Sequence, residues 1–278
     1  MNPQFEYVEG QGRSSFVDLL AHYEQLSNQA RTSYDYQADI SYGQHQRQSF
    51  DLFFGKGPIK GLIIYYHAGY WQSRDKSQFH FLAPNYVESG WHFALANYPL
   101  CPHVTLQELT EAVLPSLAAI RHTALQGDNL PVILIGHSAG AQIAVELTLA
   151  NCETKCATTN SVHGVLGISG VYDPEPLITT SLNDNLKLTS ATAKAANVTH
   201  RPSNNAVPGL WVVGATETNE FVRQNNAQHN HWRKENNSSA LIEVENTDHF
   251  SVLADVMQWP LGNNSIYNRW LANVLMQN

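Results

Sequence analysis

Pro131-Val-Ile-Leu-Ile-Gly-His-Ser-Ala-Gly-Ala-Gln-Ile-Ala-Val-Glu-Leu147 is the stretch on which the reading of this chain turns. Its first five residues form a short apolar run of buried-strand type, and its last seven are helix formers. Between them Gly136-His137-Ser138-Ala139-Gly140 matches G-x-S-x-G. A sharp turn from strand to helix forces Ser138 into a strained backbone conformation and lifts its hydroxyl above the sheet. The flanking glycines leave room for neighbouring backbone. The helix start aims the Ala139 N–H at a developing negative charge.

Further apolar stretches of strand length lie at Gly61–Tyr66, Trp91–Ala96, Val162–Ile168, Leu210–Val213 and Ala240–Val244. They alternate with helical patterns, which predicts a mostly parallel central sheet with helices on both faces. The clearest helix is Thr105–Arg121, opened by the capping box Thr105-x-x-Glu108, with Leu106, Leu109, Val113, Leu117 and Ile120 on one face. Residues 39–54 read as an antiparallel hairpin and Ser15–Arg31 as a helix, while Pro174–Pro208 carries no strand signal and reads as a cap-like insertion near the site. A chain of 278 residues with 43% hydrophobic content is expected to form one domain over residues 1–278.

The formal charge of −8 comes from 16 basic and 24 acidic residues without long runs, which argues against nucleic acid and anionic lipid as partners. The Met1-Asn2-Pro3-Gln4 start has no signal-peptide character and no apolar run approaches a membrane span, so a cytoplasmic protein is expected. Cys101, Cys152 and Cys156 are too few for a disulfide framework and read as reduced thiols. Asn197-Val-Thr and Asn236-Asn-Ser-Ser are glycosylation-type triplets with no meaning unless the chain is secreted. Nucleotide-loop and zinc-helix motifs are missing, so no cofactor and no metal are implied.

A serine hydroxyl needs a base to take its proton and an acid to hold that base. His249, in Val244-Glu-Asn-Thr-Asp-His-Phe250 just beyond the last strand, is the candidate base among 13 histidines. His229 and His231 read as solvated. Three carboxylates compete as the acid: Asp173, Glu217 and Glu220. Position favours Glu217, directly beyond Leu210–Val213, whereas Glu220 falls in the first turn of the next helix, where it can pair with Arg223.

After the strand Gly61–Tyr66 comes His67-Ala-Gly-Tyr-Trp-Gln72, an oxyanion-loop pattern. H-x-G-x-W, G-H-S-A-G, Glu220-Phe-Val-Arg-Gln224 and Asp248-His-Phe250 together resemble the kynurenine formamidase (arylformamidase) branch of the α/β-hydrolase fold, near the hormone-sensitive-lipase-like esterases, over roughly residues 35–277. The resemblance implies Ser138 as nucleophile, His249 as base, Glu217 as acid where the family usually has Asp, and an oxyanion hole from the N–H groups of Gly69, Tyr70 and Ala139. Two departures stand out. Ala68 occupies the place of the first glycine of H-G-G-x-W, and Pro99 stands where these proteins commonly carry Arg.

The expected activity is hydrolysis of a small acyl amide or ester, formyl or acetyl on an aromatic amine or alcohol, by two-step acyl transfer. Tyr70, Trp71 and Tyr172 either line the substrate pocket or pack the core. A general short-chain carboxylesterase and a catalytically silent binding protein of the same fold are the alternatives, and a homodimer is left open.

Overall fold

The computed structural model describes residues 1–153, 162–202, 207–235 and 237–276, without the side chains of 151–153. The thiol reading of Cys152 and Cys156 and part of the Asn236 triplet fall outside what is described; Cys101 is buried and free. Eight strands form one sheet: β1 Tyr36–Ser41, β2 Ser49–Phe53, β3 Gly61–Tyr66, β4 Trp91–Ala96, β5 Val132–His137, β6 Gly164–Ile168, β7 Gly209–Gly214 and β8 Ser239–Val244. Their spatial order is β1-β2-β4-β3-β5-β6-β7-β8. β2 pairs antiparallel with both β1 and β4. Every pairing from β4 to β8 is parallel.

β3, β5, β6 and β7 are buried along their whole length, because helices cover both faces and leave no polar side for alternation to serve. Side-chain alternation splits the core in two. Leu62, Ile64 and Tyr66 face the helices Leu106–Val113 and Ala139–Glu153, while Ile63 and Tyr65 face Phe16–Ser33 and Ala83–Glu88.

The expected helix Thr105–Arg121 is two helices, Leu106–Val113 and Pro115–Leu125. Pro115 has no N–H to continue the first helix and a φ suited to starting the second. The capping box forms: Glu108 N donates to Thr105 Oγ1 at 3.2 Å and Thr105 N to Glu108 Oε2 at 2.7 Å. Among its described residues the insertion carries three short helical turns, Glu175–Thr179, Asn183–Leu186 and Ser190–Ala196. Its Asn185 Nδ2 donates to Gln72 Oε1 at 2.7 Å, and Ala196 O accepts from Gln142 Nε2 at 3.1 Å. It therefore rests on the loop after β3 and on the helix after β5. From β3 the chain turns outward to β4 and then returns to β5 on the other flank of β3. That reversal opens a crevice at the strands' carboxyl ends, where open α/β sheets place their sites. Among the described residues no helix is long and apolar enough to cross a membrane.

Candidate active site

Ser138 sits at the end of β5 with φ 57°, in the left-handed region that a serine adopts only at a cost of about 1–3 kcal/mol. Ser138 N donates to Ile168 O at 2.8 Å, and Ser138 O accepts from Ala141 N at 3.0 Å. These bonds hold the turn. A Cβ at Gly136 would lie 2.1 Å from Gly140 O, and one at Gly140 would lie 2.0 Å from Tyr66 O. Both contacts are with backbone that cannot retreat. Ser138 is 1% exposed, and among the described residues its Oγ has no hydrogen-bond partner.

His249 lies in the loop after β8, 4% exposed. Its Nδ1–H donates to Glu217 Oε2 at 2.8 Å, which leaves Nε2 as the proton acceptor of the ring. Glu217 Oε1 accepts from Ser169 Oγ at 2.5 Å and from Gly214 N at 2.8 Å. Three donors thus converge on one buried carboxylate and fix its orientation toward the imidazole. The other two carboxylates point elsewhere: Asp173 Oδ1 accepts from Glu175 N at 3.1 Å, and Glu220 takes both Nε and Nη2 of Arg223, at 2.8 and 2.6 Å.

His137 is fully buried. Burial first, and then the neighbouring His249, push its pKa well below the usual imidazole range, so it stays neutral. Its Nε2–H donates to the backbone carbonyl of His249 at 2.7 Å, with the two rings 4.8 Å apart. The residue before the serine therefore holds the loop of the histidine.

The loop after β3 is bent through four left-handed residues, Gly69 (φ 129°), Tyr70 (49°), Trp71 (59°) and Arg74 (75°). Ala68 is not among them, consistent with its having no need to be glycine. A Cβ at Gly69 would lie 2.2 Å from Ser73 O. Among the described residues the N–H groups of Gly69 and Tyr70 make no intramolecular hydrogen bond, and Ala139 N belongs to the unpaired first turn of its helix. Behind this loop Arg47 donates to Tyr98 O and Arg74 O, both at 2.9 Å, and to Asn97 Oδ1 at 3.1 Å.

Trp71 and Tyr172 are both 0% exposed. Trp71 Nε1 donates to Gln142 Oε1 at 3.3 Å, and Tyr172 packs edge-on against Trp211, 5.5 Å between ring centres. Both rings thus make core contacts, the packing alternative of the sequence reading. His229 and His231 are half-buried and bonded to Ser239 Oγ and Arg201 O rather than solvated. Sequence reasoning missed Ser169 (φ 48°), Gln142 and Arg47. Ser169 carried a faint signal as a small polar residue before Gly170 at a strand's carboxyl end.

A family profile described as the alpha/beta hydrolase fold matches residues 63–253. The chain belongs to the α/β-hydrolase fold family. Curated relatives include a kynurenine formamidase from Danio rerio, 25% identical over 258 residues, covering 88% of this chain and 86% of the relative. Another, from Drosophila melanogaster, is 23% identical and covers 84% and 80%. Among solved structures, a candidate thioesterase from Silicibacter sp. TM1040 superposes with TM-score 0.84 at 26% identity, covering 95% of this chain and 97% of that one. Esterase B from Lactobacillus rhamnosis superposes at 0.69 with 16% identity, covering 95% and 96%, which shows a common fold. This α/β-hydrolase is an enzyme of the serine-hydrolase type.

Proposed function

We propose that the chain removes a small acyl group, formyl before acetyl, from an aromatic amine or alcohol, in the manner of its kynurenine formamidase relatives. The observation that carries this reading is the buried bond from His249 Nδ1 to Glu217 Oε2, formed at the sheet edge that also holds Ser138 with its unpartnered Oγ. A silent binding protein has no use for a carboxylate so thoroughly oriented on an imidazole.

In this mechanism His249 Nε2 takes the Ser138 proton as Oγ attacks the acyl carbonyl. Glu217 fixes the tautomer and stabilises the imidazolium. The N–H groups of Gly69, Tyr70 and Ala139 receive the oxyanion. His249 then protonates the leaving amine or alcohol, and water attacks the acyl-enzyme by the same route in reverse.

The restriction to small acyl groups rests on burial. Ser138 is 1% exposed, and Trp71 and Tyr172 are packed shut, so each added methylene must displace packed side chains. The test is kcat/KM for N-formylkynurenine beside p-nitrophenyl acetate, butyrate and octanoate in one buffer. The expected order falls steeply with acyl length. Undetectable deformylation with efficient butyrate or octanoate turnover refutes the formamidase reading in favour of a carboxylesterase.

A further inference from the structure

Residues 4–23 precede every strand of the sheet and lie outside the 63–253 matched by the family profile, yet they touch each of the loops that carry the base, the acid and an oxyanion donor. Tyr70 Oη, on the oxyanion loop, donates to Tyr7 O at 2.5 Å. On the acid loop, Thr218 Oγ1 donates to Glu6 O at 2.7 Å, Glu220 N to Glu6 Oε2 at 3.1 Å, and Arg13 Nη2 to Thr216 O at 2.8 Å. On the histidine loop, the Phe16 ring stands edge-on to Phe250 at 5.2 Å, and Tyr23 Oη donates to Phe250 O at 3.1 Å.

Tyr7 is where these contacts meet. It is 1% exposed. Its hydroxyl donates to Glu220 Oε1 at 2.9 Å, three residues past the candidate acid, and accepts from Gln224 Nε2. Its ring lies 5.6 Å from Phe221, whose ring lies 4.6 Å from that of His249. One residue thus touches the oxyanion loop and the first turns of the helix after the acid loop, and reaches His249 through Phe221.

We infer that this segment is a strap that sets the mutual placement of the acid, the base and the oxyanion donors, with Tyr7 as its positioning residue; the inference rests on the hydrolase reading above. Three loops from separate strand ends have no reason of their own to agree to within a fraction of an ångström. Tyr70 and Trp71 are also held in left-handed backbone, which persists only where surroundings over-determine it. A shared tether supplies both requirements. Tyr7 touches no reacting atom, so it acts through Tyr70, Glu220 and Phe221.

The test compares Tyr7→Phe, Tyr7→Ala and Tyr70→Phe with wild type on p-nitrophenyl acetate, with rates divided by the serine titrated with a fluorophosphonate. Tyr70→Phe keeps the backbone N–H and deletes only the tether to Tyr7 O. Because small misplacements of reacting groups cost up to about a hundredfold, kcat should fall about tenfold in both Phe variants and about a hundredfold in Tyr7→Ala, with KM within about twofold. Val17→Ala, at a position 77% exposed in the same segment, should match wild type. If Tyr7 merely packs, the variants lose thermal stability but keep wild-type kcat per titrated serine, and that result overturns the inference. A wild-type chain that takes up no fluorophosphonate is a different outcome: it removes the hydrolase reading, and with it anything for the strap to position.

Discussion

Replacing Glu217 by glutamine is the sharpest test of the site, because the structure dictates how the amide must turn. The carboxylate receives Ser169 Oγ and Gly214 N on Oε1 and His249 Nδ1 on Oε2. Glutamine offers one oxygen and one NH2. Placing the NH2 at the Oε1 position sets two donors against each other, since the Gly214 N–H is fixed in the backbone, and a buried unmet donor costs about 1–3 kcal/mol. Placing it at Oε2 preserves both of those bonds and asks only that the imidazole move its proton to Nε2. The second arrangement wins. His249 is then the wrong tautomer for the proposed mechanism, with a hydrogen on the nitrogen proposed to receive the serine's proton. Loss of the correct tautomer in a serine triad lowers kcat about 10⁴-fold, or about 5 kcal/mol of barrier. The assay is kcat on p-nitrophenyl acetate, with circular dichroism to check the fold. Asp173→Asn serves as the control and should stay near wild type, because Asp173 is engaged with Glu175 N. A Glu217→Gln enzyme within tenfold of wild type refutes the assignment of the acid and the tautomer argument together.

Ser138→Ala should abolish fluorophosphonate labelling and hydrolysis with the fold retained, since Oγ makes no hydrogen bond among the described residues; residual turnover near wild type would remove it from the mechanism. Gly140→Ala should fail to accumulate as folded protein, or melt far lower, because its Cβ would sit 2.0 Å from Tyr66 O; an unchanged Tm would contradict the packing of the turn. Stability should also fall with pH below about 6.5, the ordinary histidine value. Burial chiefly lowers the pKa of His67 to about 4, so between these values the unfolded chain binds a proton that the folded chain refuses. The stabilisation is whole above the upper value and is lost as pH falls toward the lower, about 3 kcal/mol from this residue. His80 and His137 shift in the same direction, also chiefly through burial. Thermal melts from pH 7 to pH 4.5 should show a declining Tm, and a flat profile would refute the prediction.

Much of the frame was legible because buried parallel strands announce themselves as continuous apolar runs. Gly61–Tyr66 and Trp91–Ala96 are the observed strands residue for residue, and the others differ by a residue or two at an end. The motif after β5 pointed to the strained turn at Ser138, and chain order pointed to His249 and to Glu217, whose side chains are hydrogen-bonded to each other in the structure. What stayed hidden was of another kind. The break at Pro115 was visible in the residue itself, but helical periodicity on both sides masked it. Ser169, Arg47 and Tyr7 act through partners 48, 51 and 213 positions away, and no local pattern encodes such distances. Trp71 and Tyr172 show the converse limit, since an aromatic residue near a site looks the same in sequence whether its face is open or packed shut.

The bond from His137 to the carbonyl of His249 bears on how such enzymes can be recombined. In the pentapeptide pattern the residue before the serine is written as a free position, open to whatever a relative carries there. Here it is one half of a joint whose other half lies 112 positions downstream. An aspartate in its place would set an acceptor against an acceptor. A chimera that takes its serine turn from one parent and its histidine loop from another would therefore inherit two pieces cut to different templates. The two segments behave as one unit of inheritance, to be exchanged together or left alone.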